Sequence, residues 1–92
     1  MRRAIRILLN ASADARVASL ACAAVIRADQ GELEDAARLA RMVEGGSSEP
    51  ALLRALGKAL GERARAADDA DLRDAADDCM RWADLEDAFL SA

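Results

Sequence analysis

Histidine is absent from the 92 residues, and with it the usual general base and the commonest metal ligand. Ser12, Ser19, Ser47, Ser48 and Ser91 therefore have no base to activate them. Gly45-Gly46-Ser47-Ser48 is too short for a loop that cradles phosphates, and no Gly-Lys-Ser follows it. Asp69-x-Asp71 has the opening of a calcium loop, but Asp74 stands where that loop requires glycine. Cys22 and Cys79 lie far apart and form no CxxC; both fall at apolar positions of helical patterns, as small buried thiols in a reducing compartment do. No catalytic residue, cofactor site or metal site is expected, and the chain points to binding rather than to enzyme chemistry.

Charge narrows the partners. The formal net charge is −4. Residues 1–45 hold seven Arg against six acids, and residues 46–92 hold six Lys and Arg against eleven acids, so the halves carry +1 and −5. The densest acidic stretch is Asp68, Asp69, Asp71, Asp74, Asp77 and Asp78, interrupted by Arg73. Such a segment repels phosphate backbones, and Arg2, Arg3 and Arg6 are too few to reverse that, so nucleic acid is not the expected partner. The apolar run from Ala4 to Leu9 is broken by Arg6, and Asp14 and Arg16 follow, which is not the pattern of a secretory signal. No segment approaches the roughly 20 apolar residues of a membrane span. A cytoplasmic protein without membrane insertion is the expectation.

The elements that would build a binding surface are helices. Ile5, Leu9, Ala13, Val17, Leu20, Ala24 and Ala28 recur at spacings of three or four, which predicts one long or slightly kinked helix over about 3–29. Asn10 or Ser12 could instead cap a second helix after a short first one. Gly31 ends the stripe where a left-handed terminus favours glycine, and Glu32, Glu34 and Asp35 fill the first turn of the next helix. That helix carries Leu33, Ala36, Ala37, Ala40 and Val43 on one face. Gly45 to Ser48 form the break, Ser48 can cap, and Pro50 suits a first helical turn. The next helix has Leu53, Leu56, Leu60, Ala64 and Ala67 as its apolar face, with Gly57 and Gly61 beside it. Each glycine costs nearly 1 kcal/mol against alanine, which predicts a close helix contact as compensation. Asp68 to Asp71 offer caps for a last helix holding Leu72, Ala76, Cys79, Trp82, Ala83, Leu85 and Phe89. No stretch alternates as a strand does.

The fold class expected is all-α, with four to five helices in antiparallel hairpins stacked in a TPR-like, helical-repeat arrangement. Hairpin one covers about 3–44, a Gly/Ser linker 45–48, and hairpin two about 49–90, in one domain over 1–92. Alanine supplies 24 of the 92 residues, which favours helix but provides little apolar area per residue. A partner, or self-association into a homo-oligomer, is a natural supplement to so small a core.

LEDAA at 33–37, LRDAA at 72–76 and LEDAF at 85–89 repeat one pattern, the first two 39 residues apart. Leu53, Leu56, Gly57 and Leu60 resemble the first helix of a tetratricopeptide repeat, and Ala76, Met80 and Ala83 the small-large-small pattern of its second helix. Residues 14–56, especially ARVASLACAAV, AARLARM and EPALLRAL, are similar to the small tetratricopeptide-like chaperones of bacterial type III secretion needle subunits. The acidic segment 68–78 has no counterpart there. The resemblance implies a chaperone that lays a helix of a needle subunit in its groove and so prevents premature polymerisation. It also implies a small helical co-chaperone supporting the first hairpin. The groove candidates are Leu53, Leu56, Leu60, Trp82, Leu85 and Phe89, since aromatics dominate interface hot spots; the competing reading makes them core between the last two helices. Ile5, Leu8 and Leu9 are candidates for the co-chaperone contact or for packing within the chain. The alternative function is a homo-oligomeric helical-bundle regulator or antitoxin-like partner.

Overall fold

Some helix boundaries have a local cause, and one is held from a distance. In the computed structural model, which describes residues 2–91, the helices are α1 (Arg2–Ala11), α2 (Ala15–Asp29), α3 (Leu33–Gly46), α4 (Pro50–Ala67) and α5 (Ala70–Ser91). The single helix expected over 3–29 is two. Asp14 is extended, and its carboxylate accepts hydrogen bonds from the Arg16 and Val17 amides at 2.9 and 3.4 Å. The Ser12 hydroxyl accepts from the Asp14 amide at 3.0 Å and donates to the Glu49 carboxylate. Glu49 also accepts from the Ala13 amide at 3.0 Å. The break is thus held from a residue on the far side of the chain, which the helical stripe could not reveal.

The α2–α3 turn is a Schellman motif. Gly31 sits at φ 82°, the Glu32 amide donates to the Arg27 carbonyl at 2.9 Å, and the Gly31 amide donates to the Ala28 carbonyl at 3.1 Å. The α4–α5 turn repeats this geometry with Asp68 at φ 51° in the glycine position. Asp69 then caps α5, its carboxylate accepting from the Leu72 amide at 2.8 Å. Between α3 and α4 the expected linker 45–48 moves. α3 runs through Gly45 and Gly46, and the N-cap position of α4 is Glu49 rather than Ser48, with no side-chain capping hydrogen bond.

The fold is all-α: α2 and α3 form one antiparallel hairpin, α4 and α5 the other, and the two stack. α3 lies on α5, α2 on α4, and α1 packs on α2 and α4. The first hairpin is joined by small side chains, with Ala21, Ala24, Ala28, Ala36 and Ala40 all buried. The second is joined by large ones: Leu52, Leu53, Leu56, Leu60 and Leu72 are fully buried. The first two copies of the repeat agree in burial at their alanines, since Ala36, Ala37, Ala75 and Ala76 all face the core, whereas Leu85 and Phe89 of the third are exposed.

Of the two glycines in α4, one meets the expectation of close contact. A Cβ on Gly57 would stand 2.8 Å from Met80 Cγ and 2.9 Å from the Ala76 carbonyl oxygen, whereas on Gly61 the nearest atom is Ala76 Cβ at 3.9 Å.

Candidate protein-binding surfaces

The six proposed groove residues do not share a surface. Leu53, Leu56 and Leu60 are sealed in the core with no exposed area. The reason is register: α4 turns its leucine stripe toward α5 and the first hairpin. Trp82, Leu85 and Phe89 point outward, at 48%, 53% and 80% exposure. At spacings of three and four they form one stripe on α5. The six-residue groove expected is therefore reduced to an exposed stripe of three residues on α5.

The length of α5 explains part of this exposure. Gly57 faces Ala76 and Met80, and Arg54 reaches Asp84 and Asp87, each at 2.7 Å. In that antiparallel register the start of α4 lies near the level of residue 87. The last turn of α5 runs past it, leaving Phe89 and Leu90 uncovered. Arg54 is itself drawn toward the charged state, first by its hydrogen bond to Asp84 and then by that to Asp87.

The candidates for a co-chaperone contact divide as well. Leu8 is buried and packs within the chain, Ile5 is half-buried, and Leu9 is 53% exposed. Leu9 and Ile5 join Ile26 of α2 in an open recess of about 400 Å³, flanked by Arg2, Arg6 and Asn10. Ile7, Ile26 and Leu90 are further exposed apolar residues that the sequence patterns did not single out, and Met42, expected at the flank of the α3 apolar face, is exposed as well. Ile7 stands off the stripe that begins at Ile5, on a different face of α1.

An acid of intermediate exposure, with one buried oxygen, sits where α3 meets α5. Glu44 exposes 9% of its side chain, and its Oε2 has no hydrogen-bond partner. Arg41 is 3.7 Å from it, too far for a hydrogen bond, because the guanidinium instead donates to Asp78 at 2.8 Å. Burial, then the nearby Asp78 charge, pushes the Glu44 carboxyl above its ordinary range. Asp78 is held low by the Arg41 hydrogen bond. The neighbouring Cys79 thiol is pushed up to about 12, first by burial and then by Glu44 and Asp78. Burial also raises Cys22, and both cysteines are free. Such thiols stay protonated at neutral pH and are poor nucleophiles.

Among the described residues, no group of three or more His, Cys, Asp or Glu is arranged to hold a metal ion. No described helix is long and apolar enough to cross a membrane. Fold and surface together define a small all-α domain of two stacked hairpins with an aromatic stripe on its last helix. No protein family, curated protein or solved structure matches the chain.

Proposed function

We propose that this protein is a protein-binding chaperone or adaptor that holds an amphipathic helix of its partner against the distal half of α5. The observation that carries this reading is the outward stripe Trp82, Leu85 and Phe89, which includes every aromatic residue of the chain. Large rigid aromatics contribute most when a partner removes them from water, and a partner helix buries such a stripe without any covalent step. Glu86 borders the stripe without a cation among the described residues, and it favours a client helix with a basic residue beside its apolar face. The resemblance of residues 14–56 to needle-subunit chaperones supplies the specific client: a type III secretion needle subunit, held in the cytoplasm before it polymerises.

The test is a titration of the full chain with a needle-subunit helix peptide, read by Trp82 fluorescence. The expected result is a blue shift on binding, with affinity weakened about tenfold or more in Phe89→Ala. Peptide binding that Phe89→Ala and Leu85→Ala leave unchanged would exclude the stripe as the site. No binding at all, together with the absence of a needle-subunit gene nearby, would sink the client.

A further inference from the structure

Two surfaces of the chain lack partners within it, and their charges are opposite. The first is the recess between α1 and α2, where Ile5, Leu9 and Ile26 lie beside Arg2 and Arg6. α1 holds three arginines and no acid. Among the described residues, none of the three forms an ion pair. The second surface is the end of α5, where Phe89 and Leu90 are exposed and no basic residue follows Arg81. Arg54 takes up Asp84 and Asp87, which leaves Glu86 without a cation among the described residues. α1 and α5 do not touch each other within the chain.

We propose that the chain binds a second copy of itself, seating the end of α5 of one copy in the α1–α2 recess of the other. Phe89 enters the apolar recess, and Glu86 lies against Arg2 and Arg6. Apolar side chains meet apolar side chains, and an unpaired acid meets unpaired arginines, so burial and charge favour the same pairing. A contact between two different patches closes into a dimer if two copies exchange ends, and otherwise grows into a ring or a chain. Self-association covers the α5 end, so a client helix would have to displace it. The self-contact is nevertheless tested on the protein alone and stands independently of any client.

The experiment is sedimentation equilibrium of the full chain over a range of concentrations at low and high salt. The expected result is a mass above that of the monomer, rising with concentration and falling as salt screens the ion pairs. Phe89→Ala and Arg6→Glu should each weaken association about tenfold or more. Both positions are exposed, so circular dichroism should show the helices intact. Restoration of association in Arg6→Glu with Glu86→Arg would confirm the pairing. A monomer at every concentration overturns the proposal, as does self-association that survives Phe89→Ala and Arg6→Glu. Loss with Phe89→Ala but not with Arg6→Glu moves the α5 end to another surface and overturns the recess as its site.

Discussion

Substituting alanine for each glycine of α4 separates helix propensity from packing. In a helix interior, glycine to alanine gains about 1 kcal/mol if nothing else changes. At Gly61 the new Cβ meets only Ala76 Cβ at 3.9 Å, ordinary van der Waals contact. Gly61→Ala should therefore stabilise by about 0.5–1 kcal/mol. At Gly57 the Cβ would stand 2.8 Å from Met80 Cγ, 2.9 Å from Met80 Sδ and 2.9 Å from the Ala76 carbonyl oxygen. Met80 is flexible and can move aside. The carbonyl is backbone, so α5 must shift, and overpacking of this kind costs about 1–3 kcal/mol. The steric cost equals or outweighs the gain of about 1 kcal/mol in helix propensity, and Gly57→Ala should be net destabilising by up to about 2 kcal/mol. The two variants should then differ by roughly 10 °C in thermal midpoint for a domain of this size. Thermal and urea unfolding followed by circular dichroism would measure both. A Gly57→Ala protein more stable than wild type would refute the close α4–α5 packing. Gly57→Ala with Met80→Ala locates the clash: full recovery assigns it to Met80, and partial recovery to the carbonyl.

Other substitutions address the turns and Glu44. Asp68→Gly, which relieves a non-glycine residue at φ 51°, should stabilise by about 0.5–1 kcal/mol, and Gly31→Ala, which creates that strain, should cost about 1–2 kcal/mol in the same unfolding assay. Glu44 binds its proton more tightly folded than unfolded, so its contribution to stability falls as pH rises from 4.5 through its raised pKa, and Glu44→Gln should flatten that slope and add about 1 kcal/mol near neutral pH. Asp78 has the opposite sign: its contribution is present above 3.8 and is lost as pH falls further. Urea melts at pH 2–8 would show both, and a slope above pH 4.5 left unchanged in Glu44→Gln would remove Glu44 as its source.

What could be read from the sequence was what is decided locally. Gly31 and Asp69 announce their turns because a left-handed residue and a capping carboxylate act within one helical turn. The break between α1 and α2 was less legible, since Ser12 and Ala13 are fixed by Glu49, 37 and 36 residues away. Gly45 and Gly46 looked like a linker, yet both continue α3 as its exposed last residues, since low propensity disfavours a helix without forbidding it. Binding residues were the least legible, because periodicity marks a side chain as apolar without saying which apolar face another helix will cover. Leu56 and Trp82 both fit that pattern, and only the α4–α5 register assigns one to the core and the other to the surface.

That assignment decides which substitutions can test binding. Leu56 is fully buried, and truncating a leucine there should cost about 2–5 kcal/mol through lost burial and the cavity left behind. For a domain of marginal size that is a large share of the whole, so loss of a partner in Leu56→Ala would report unfolding. Phe89 is 80% exposed, and Phe89→Ser should change stability by no more than about 0.5 kcal/mol. The chain gives up little stability by losing this ring, so folding alone does not account for an outward phenylalanine beside an outward tryptophan. An interface does. Unfolding free energies for the two variants would check the contrast. If Phe89→Ser destabilises as much as Leu56→Ala, the end of α5 packs within the chain and the stripe is not a binding surface.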